Sequence, residues 1–334
     1  ECMSIKILRP GLLTTIQDLG RVGFQKYGVI VSGAMDSYAL RIANLLVGND
    51  EGEAAFEITL TGPTIEFERD IMIAITGADL SPRIEEEPVP LYKPVYVKKG
   101  SVLQFGPCVS GCRAYLAFAG GFDIEEVMGS RSTYLRARIG GYKGRALKAG
   151  DQLTINTVRL QSTRLIEELS ASSDGPFSTT SWSVTTTFLQ PVTKENTLRV
   201  IPGTHYERFT SESRQAFFDQ TFSVTPQSDR MGYRLSGPSL QLSEAFEVIS
   251  EAVALGTIQV PSDGNPIVLL ADRQTTGGYP RMAQVVSVDI SLMAQLKPGD
   301  KVRFKEVTIV EAEQLYLKRE YELSGLRAGV TFKL

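Results

Sequence analysis

Short runs of β-branched and aromatic residues, cut apart by glycine and proline, dominate this chain and set the limits on its fold. Thirty glycines and sixteen prolines separate apolar stretches at residues 71–76, 95–97, 102–105, 115–118, 198–201, 267–270 and 302–304. Such runs between turn formers read as strands, because branched and ring side chains pack well on a pleated surface. Helical periodicity is clear over 36–47, where Leu40, Ala43, Leu46 and Val47 share a face, Ser32 or Asp36 can cap, and Gly48 follows the last turn. Shorter helices are expected at 211–220, 291–296 and 311–323. The chain is therefore expected to be mainly β with a few short helices.

With 334 residues, 42% of them hydrophobic, there is enough chain for two cored domains of roughly 100–200 residues each. Serine and threonine crowd together at 170–173 and 178–187, with Gly175-Pro176 and Gln190-Pro191 as breakers. This places a Ser/Thr-rich crossover at 157–195, between an N-terminal domain at 4–156 and a C-terminal domain at 196–334. Trp182 and Phe188 inside it are large apolar groups that prefer a surface to pack on. Four echoes occur in the same order in both halves: Pro10-Gly11 and Pro202-Gly203, Asp18 to Phe24 and Asp229 to Tyr233, Gly62-Pro63 and Gly237-Pro238, Ala149-Gly150-Asp151 and Pro298-Gly299-Asp300. Gly-Pro and Pro-Gly-Asp are common turn chemistry, but their shared order points to two related β domains.

Charge and composition exclude several function classes. Thirty-five Lys and Arg against 38 Asp and Glu give a net charge of -3, so no basic excess draws in a phosphate backbone, and nucleic acid is not an expected partner. No apolar stretch approaches the roughly 18–20 residues that cross a bilayer. The first residues show no basic region followed by an apolar one, and a cytoplasmic location is expected. Cys108 and Cys112 have neither zinc-ribbon nor thioredoxin spacing and are read as a reduced pair. His205 is the single histidine, which removes multi-histidine metal cages, and no metal is expected.

A Walker A sequence, a Rossmann fingerprint, HExxH, a Gly-x-Ser-x-Gly elbow and a Met-Lys-Met biotin site are all missing. What stands out is a set of polar, glycine-rich segments abutting apolar strands. Asp272-Arg273-Gln274-Thr275-Thr276-Gly277-Gly278-Tyr279-Pro280 follows one such strand. Its paired glycines allow close backbone approach, and Gln274, Thr275 and Thr276 supply donors and acceptors for a small polar ligand; a hairpin loop with its own internal hydrogen bonds fits the composition equally. In Ser228-Asp229-Arg230-Met231, Arg230 can grip a carboxylate with two prongs while Asp229 orients it or takes a proton; a surface ion pair is the simpler alternative. Ser32-Gly33-Ala34-Met35-Asp36 opens the best helix, where free N–H groups can hold an anion or take an ordinary cap. Gly129-Ser130-Arg131-Ser132-Thr133 offers Arg131 as an anion contact. His205 is either a general base or structural.

These strings, with Arg9-Pro10-Gly11, Gln17-Asp18-Leu19-Gly20-Arg21, Ala43-Asn44-Leu45-Leu46-Val47-Gly48-Asn49 and Ile258-Gln259-Val260-Pro261, together resemble the KipA family. That family is also known as the C-subunit of 5-oxoprolinase (PxpC), allophanate hydrolase subunit 2 or biotin-dependent carboxyltransferase. The resemblance runs nearly end to end, with Phe56-Glu57 and Met282 as small departures. It implies two tandem cyclophilin-like β-barrel domains. It also implies ATP-dependent opening of 5-oxo-L-proline to L-glutamate together with a KipI-like subunit (PxpB) and a LamB/YcsF-type subunit (PxpA), the chain being inactive alone. ATP is then bound by the complex, and biotin, where used, is carried on another protein. Two alternatives accompany it: a KipI antagonist that sequesters a kinase inhibitor without catalysis, and a carboxyltransferase subunit acting on urea or another small amide. Catalytic work is expected of Asp229, Arg230, Gln274, Thr275 and Thr276, and substrate binding of Gly277, Gly278, Tyr279, Gln259, Arg131, Arg21 and Ser32. Fixed donors of this kind activate a small amide or lactam by holding the negative charge that develops on its oxygen.

Overall fold

The computed structural model describes residues 4–185 and 190–334; Cys2 and Phe188 lie outside them. The described residues fall into two compact units. One runs up to Arg21, from Ser32 to the crossover, and again from Tyr321 onward; the other holds Val22–Val31 and Gln190–Glu320.

The first unit contains β1 (Ile5–Arg9), β2 (Leu13–Gln17), β3 (Ala55–Thr59), β4 (Thr64–Phe67), β5 (Ile71–Asp79) and β6 (Arg83–Ile84). It continues with β7 (Glu87–Pro88), β8 (Val95–Val97), β9 (Val102–Gln104), β10 (Ser110–Phe118), β11 (Gln152–Leu153) and β12 (Phe177–Thr179). They form two six-stranded sheets, ordered β11-β1-β4-β9-β6-β7 and β12-β8-β5-β10-β3-β2. Strand alternation sorts the side chains by face. Ile71, Ile73 and Ile75 of β5 and Leu116 and Phe118 of β10 share a buried core with Ile5, Ile7, Ile65 and Phe67 of the other sheet. Met72, Ala74, Tyr115 and Ala117, of opposite parity, meet a helical layer instead. Burial on both faces explains why β5 opens as an unbroken apolar run.

That layer is led by α1 (Ser37–Leu46), whose first turn is capped by Asp36, the side chain accepting from Ala39 N at 3.0 Å. Asp36 is therefore the cap, a contribution of about 1 kcal/mol, while Ser32 bonds elsewhere. Gly48, at φ +75, ends the helix in a left-handed conformation that favours glycine. Within the stretch read as a Ser/Thr-rich crossover lies a helix the sequence reading missed, α2 (Leu160–Ala171), which buries Ser162, Leu165 and Leu169. Trp182 packs against the helical layer.

The second unit contains β13 (Glu195–Pro202), α3 (Ser211–Asp219), β14 (Phe222–Val224), β15 (Gly232–Ser236), β16 (Glu251–Ala252), β17 (Thr257–Gln259) and β18 (Ile267–Leu269). After these come β19 (Thr276–Gly277), β20 (Arg281–Val285), α4 (Ile290–Ala294) and β21 (Lys301–Glu306), and α5 (Ile309–Lys333) starts in this unit and from Tyr321 belongs to the first. Seven strands close into a barrel in the order β13-β20-β17-β18-β15-β14-β21, and β16 pairs with β19 apart from it. Closure leaves no exposed sheet edge in the barrel. Phe217 of α3 stacks on Phe304 of β21 with centroids 4.4 Å apart, and both rings are buried.

The mainly β reading holds, with the closed barrel in the second unit and two open sheets in the first. One helix is not short: α5 has 25 residues, well beyond the expected 311–323. Only Leu323 and Val330 are buried on it, so its length rests on helix-forming residues rather than on the apolar period that guided the reading. No helix among the described residues is long and apolar enough to cross a membrane.

Candidate functional site

The turn before β15 and the loop after β18 are tied together at their bases. Leu270 N donates to Met231 O at 3.0 Å and Asp272 N to Arg230 O at 2.8 Å. Arg230 Nε and Nη2 then donate to the two carboxylate oxygens of Asp272 at 3.0 and 2.9 Å. Both side chains are buried, at 6% and 8% exposure. This corrects the role expected of Arg230: the fork expected to grip a substrate carboxylate is turned onto Asp272. Asp229 is exposed and accepts from Met231 N at 2.8 Å and Gly232 N at 3.3 Å. It shapes the turn and does not orient Arg230.

Past Asp272 the loop is held by its backbone. Thr276 and Gly277 pair with Ala252 and Glu251, Thr275 O accepts from Val253 N at 3.2 Å, and Pro280 O from Val260 N at 2.9 Å. Gln274, Thr276, Gly278 and Tyr279 are exposed, and Thr275 is half-buried. The side chains of Gln274, Thr275 and Thr276 make no hydrogen bond among the described residues. The main chain is thus held at these points, while the amide and hydroxyls stand open.

Gln259 gives this loop a buried wall. It lies on β17 at 4% exposure, and its Nε2 has no hydrogen-bond partner among the described residues. A Cβ built on Gly277 would overlap that Nε2, so any larger residue there pushes the amide aside. A buried donor without an acceptor costs about 1–3 kcal/mol, a cost a ligand oxygen would remove.

Arg281, which the sequence did not single out, and His205, which it did, lie on this side of the barrel. Arg281 on β20 is the cross-strand partner of Gln259, and its Nη2 donates to Glu251 at 2.9 Å. His205 accepts from Arg281 N on Nδ1 at 3.1 Å and packs on Phe246, with centroids 5.2 Å apart. That bond leaves Nδ1 unprotonated, so the neutral ring carries its proton on Nε2. Burial lowers the His205 pKa first, the positive charges of Arg281 and Arg208 lower it further, and Glu251 opposes them. Arg281 was legible in sequence only as the basic residue after Gly-Gly-Tyr-Pro. Arg273 is also affected: burial alone lowers its pKa, its Nη1 donates to Leu270 O at 3.3 Å, and its Nε is buried without a partner.

The candidates in the first unit belong to a separate polar cluster. Asp18 Oδ1 accepts from Gly20 N, Ser130 Oγ and Ser132 Oγ at 2.7, 2.7 and 2.6 Å, and Oδ2 from Arg131 N at 2.6 Å. Arg21, fully buried, donates to the carbonyls of Val127 and Ser132. Ser32, at φ +58, donates to Thr133 O at 3.0 Å. Arg131 pairs with Glu53 and Glu126. Each of these groups braces loops. Beside α1, Tyr115 donates to Glu57 at 2.8 Å and accepts from Asp36 N at 2.7 Å; burial and the nearby carboxylates push its pKa well up. A cavity of about 420 Å3 in this unit holds Asp50, Glu51, Arg159 and Arg327. Its charges are paired, Asp50 with Arg159 and Glu51 with Arg327, and none of the catalytic or substrate-binding candidates lines it. Cys108 Sγ donates to Gly111 O at 3.3 Å, and Cys112 is buried. No group of three or more His, Cys, Asp or Glu able to hold a metal is found among the described residues.

The model of the carboxyltransferase domain, subdomain A and B, matches residues 27–306. The chain belongs to this carboxyltransferase-domain family. Within the family it is 37% identical to the 5-oxoprolinase C-subunit of Haemophilus influenzae, over 98% of this chain and 99% of that one. Against the 5-oxoprolinase C-subunit of Escherichia coli the identity is 40%, over 92% and 93%. The urea amidolyase of Lachancea kluyveri is 34% identical over 98% of this chain, which spans 18% of that protein. Among solved structures the Kluyveromyces lactis urea amidolyase superposes with a TM-score of 0.86 at 32% identity, over 97% of this chain and 20% of that one. TTHA0988 gives a TM-score of 0.76 at 32% identity, over 91% and 56%.

Proposed function

We propose that this chain is the C-subunit of an ATP-dependent 5-oxoprolinase, opening 5-oxo-L-proline to L-glutamate with a KipI-like subunit and a LamB/YcsF-type subunit. The reaction adds the elements of water across the lactam C–N bond. A lactam is a poor electrophile until charge developing on its oxygen is held. The observation that carries the reading is the buried Gln259 amide, a donor without a partner among the described residues, set under a loop whose Gln274, Thr275 and Thr276 side chains are uncommitted. Gln259 Nε2 takes the lactam oxygen, and the loop encloses the ring. The identity of 37–40% to the C-subunits of two 5-oxoprolinases, against 31–34% to urea amidolyases and a putative urea carboxylase, supports this substrate over urea.

ATP is assigned to the complex. The glycine pair at 277–278 leads into β20 rather than a helix, so this loop lacks the helix N-terminus that a phosphate-binding loop uses. A second reading, a carboxyltransferase acting on a small amide with biotin on another protein, is favoured by the TM-score of 0.86 with a urea amidolyase. The two separate in one assay. The chain is mixed with both partner subunits, and ADP and glutamate are measured with 5-oxoproline or urea; glutamate formation that requires all three subunits supports the first reading. Carboxyl transfer to urea from a biotinylated carrier, without glutamate formation, supports the second.

A further inference from the structure

Three of the second unit's buried side-chain polar atoms without a hydrogen-bond partner among the described residues share one loop and its flanking strands, Thr225 Oγ1 being a further one outside that loop. Gln259 Nε2, Arg273 Nε and Arg281 Nε are all orphaned, all are N–H donors, and all lie on the loop 272–280 or the strands beside it. Three N–H donors at one loop suit a ligand rich in acceptors. Two of them are neighbours by construction. Gln259 and Arg281 are register partners of β17 and β20, just past a register shift that follows the Ile258–Ala283 pair, and residues paired directly across two strands have Cβ atoms about 5 Å apart.

We infer that Arg281 is the specificity residue that binds the substrate's carboxylate, beside the Gln259 amide that takes its lactam oxygen. This rests on the oxoprolinase reading and assigns the recognition of an anionic lactam within it. Two groups hold Arg281 in place. Glu251, 55% exposed, occupies Nη2 from the solvent side, and His205 fixes the backbone through the Arg281 N–Nδ1 bond. Nε remains for an incoming oxygen, and a carboxylate that takes Nε and Nη2 together makes the two-pronged contact that suits arginine, displacing the exposed Glu251. Arg230 cannot serve, because Asp272 holds its Nε and Nη2. Arg273 carries an orphaned Nε as well, but its Nη1 is turned back to Leu270 O, and no strand register brings it beside Gln259.

The test uses the three-subunit complex and 2-pyrrolidinone, the same lactam without the carboxylate. For Arg281→Gln, KM for 5-oxoproline is expected to rise at least tenfold, while the inhibition constant of 2-pyrrolidinone changes less than twofold. Arg281→Lys, which keeps charge but loses the fork, is expected to fall between, and Arg273→Gln to leave KM within about threefold. Direct binding of both lactams to the wild-type chain and the folded Arg281→Gln chain is measured in parallel. It reads carboxylate discrimination even if the complex proves to make no glutamate, so failure of the enzyme assignment and of the subsite are told apart. An unchanged KM and unchanged binding in Arg281→Gln, an equal loss for both lactams, or a larger shift in Arg273→Gln overturns the inference.

Discussion

Arg230 and Asp272 face one another as a buried, two-pronged ion pair, reinforced by a backbone bond from Asp272 N to Arg230 O. The pair joins the turn before β15 to the loop that closes over Gln259. Removing either partner leaves the other charge buried and alone. Arg230→Ala and Asp272→Ala are each expected to destabilise the second unit by about 3–5 kcal/mol, read as a lower urea midpoint. The double variant should lose less than the sum of the two, because the pair acts as a unit.

Gly277 separates packing from function. Its Cβ would overlap the Gln259 amide, the mobile end of a flexible side chain, so Gly277→Ala is expected to leave the urea midpoint nearly unchanged. Turnover of 5-oxoproline by the complex should still fall about 100-fold as the donor is displaced, the low end of the roughly 100- to 1000-fold cost of losing one oxyanion donor. Adding Gly277→Ala to Gln259→Ala should produce almost no further loss, since the displaced group is already gone.

His205 makes stability depend on pH with a definite sign. Burial, Arg281 and Arg208 lower its folded-state pKa below 6.5, with Glu251 opposing, so the unfolded chain binds more protons near and below that value. Protons therefore favour unfolding. The stability is fully present above the unfolded pKa and is lost as pH falls through about 6.5 towards the lowered folded value. Urea midpoints measured between about pH 7.5 and 5.5 should decline more steeply in the wild type than in His205→Gln.

Asp18 is the corresponding keystone of the first unit, taking bonds from Gly20 N, Ser130, Ser132 and Arg131 N. Asp18→Ala strips the acceptor from several buried donors. It is expected to cost at least about 3 kcal/mol, at roughly 1.5–3 kcal/mol for each hydrogen bond to a charged group. Thermal unfolding of the variant checks this, with loss of cooperativity expected first in the loops around residues 18–21 and 129–133.

The strand runs were legible because alternation and turn residues are local signals. The isoleucines of β5 and the phenylalanine-bearing β10 stand where their patterns put them, and α1 follows its own period. α2 was hidden because Ser162, Thr163 and Ser170 favour turns in isolation, while Leu165 and Leu169 show their purpose only once a layer exists to receive them. At the site, the loop from Gln274 to Tyr279 announced itself by composition. The partners of charged groups did not: sequence cannot reveal that Arg230 turns to Asp272, 42 positions away, or that Arg281 lies across from Gln259. Those pairings are made by strand register, which tertiary packing sets.

The most direct test is 5-oxoproline-dependent ATP hydrolysis by the reconstituted complex carrying Gln259→Ala in a chain whose unfolding midpoint matches wild type. The account predicts that omitting the chain abolishes glutamate formation and that Gln259→Ala lowers turnover by about 100-fold or more. Wild-type turnover from Gln259→Ala, or glutamate formation at full rate without the chain, would contradict it.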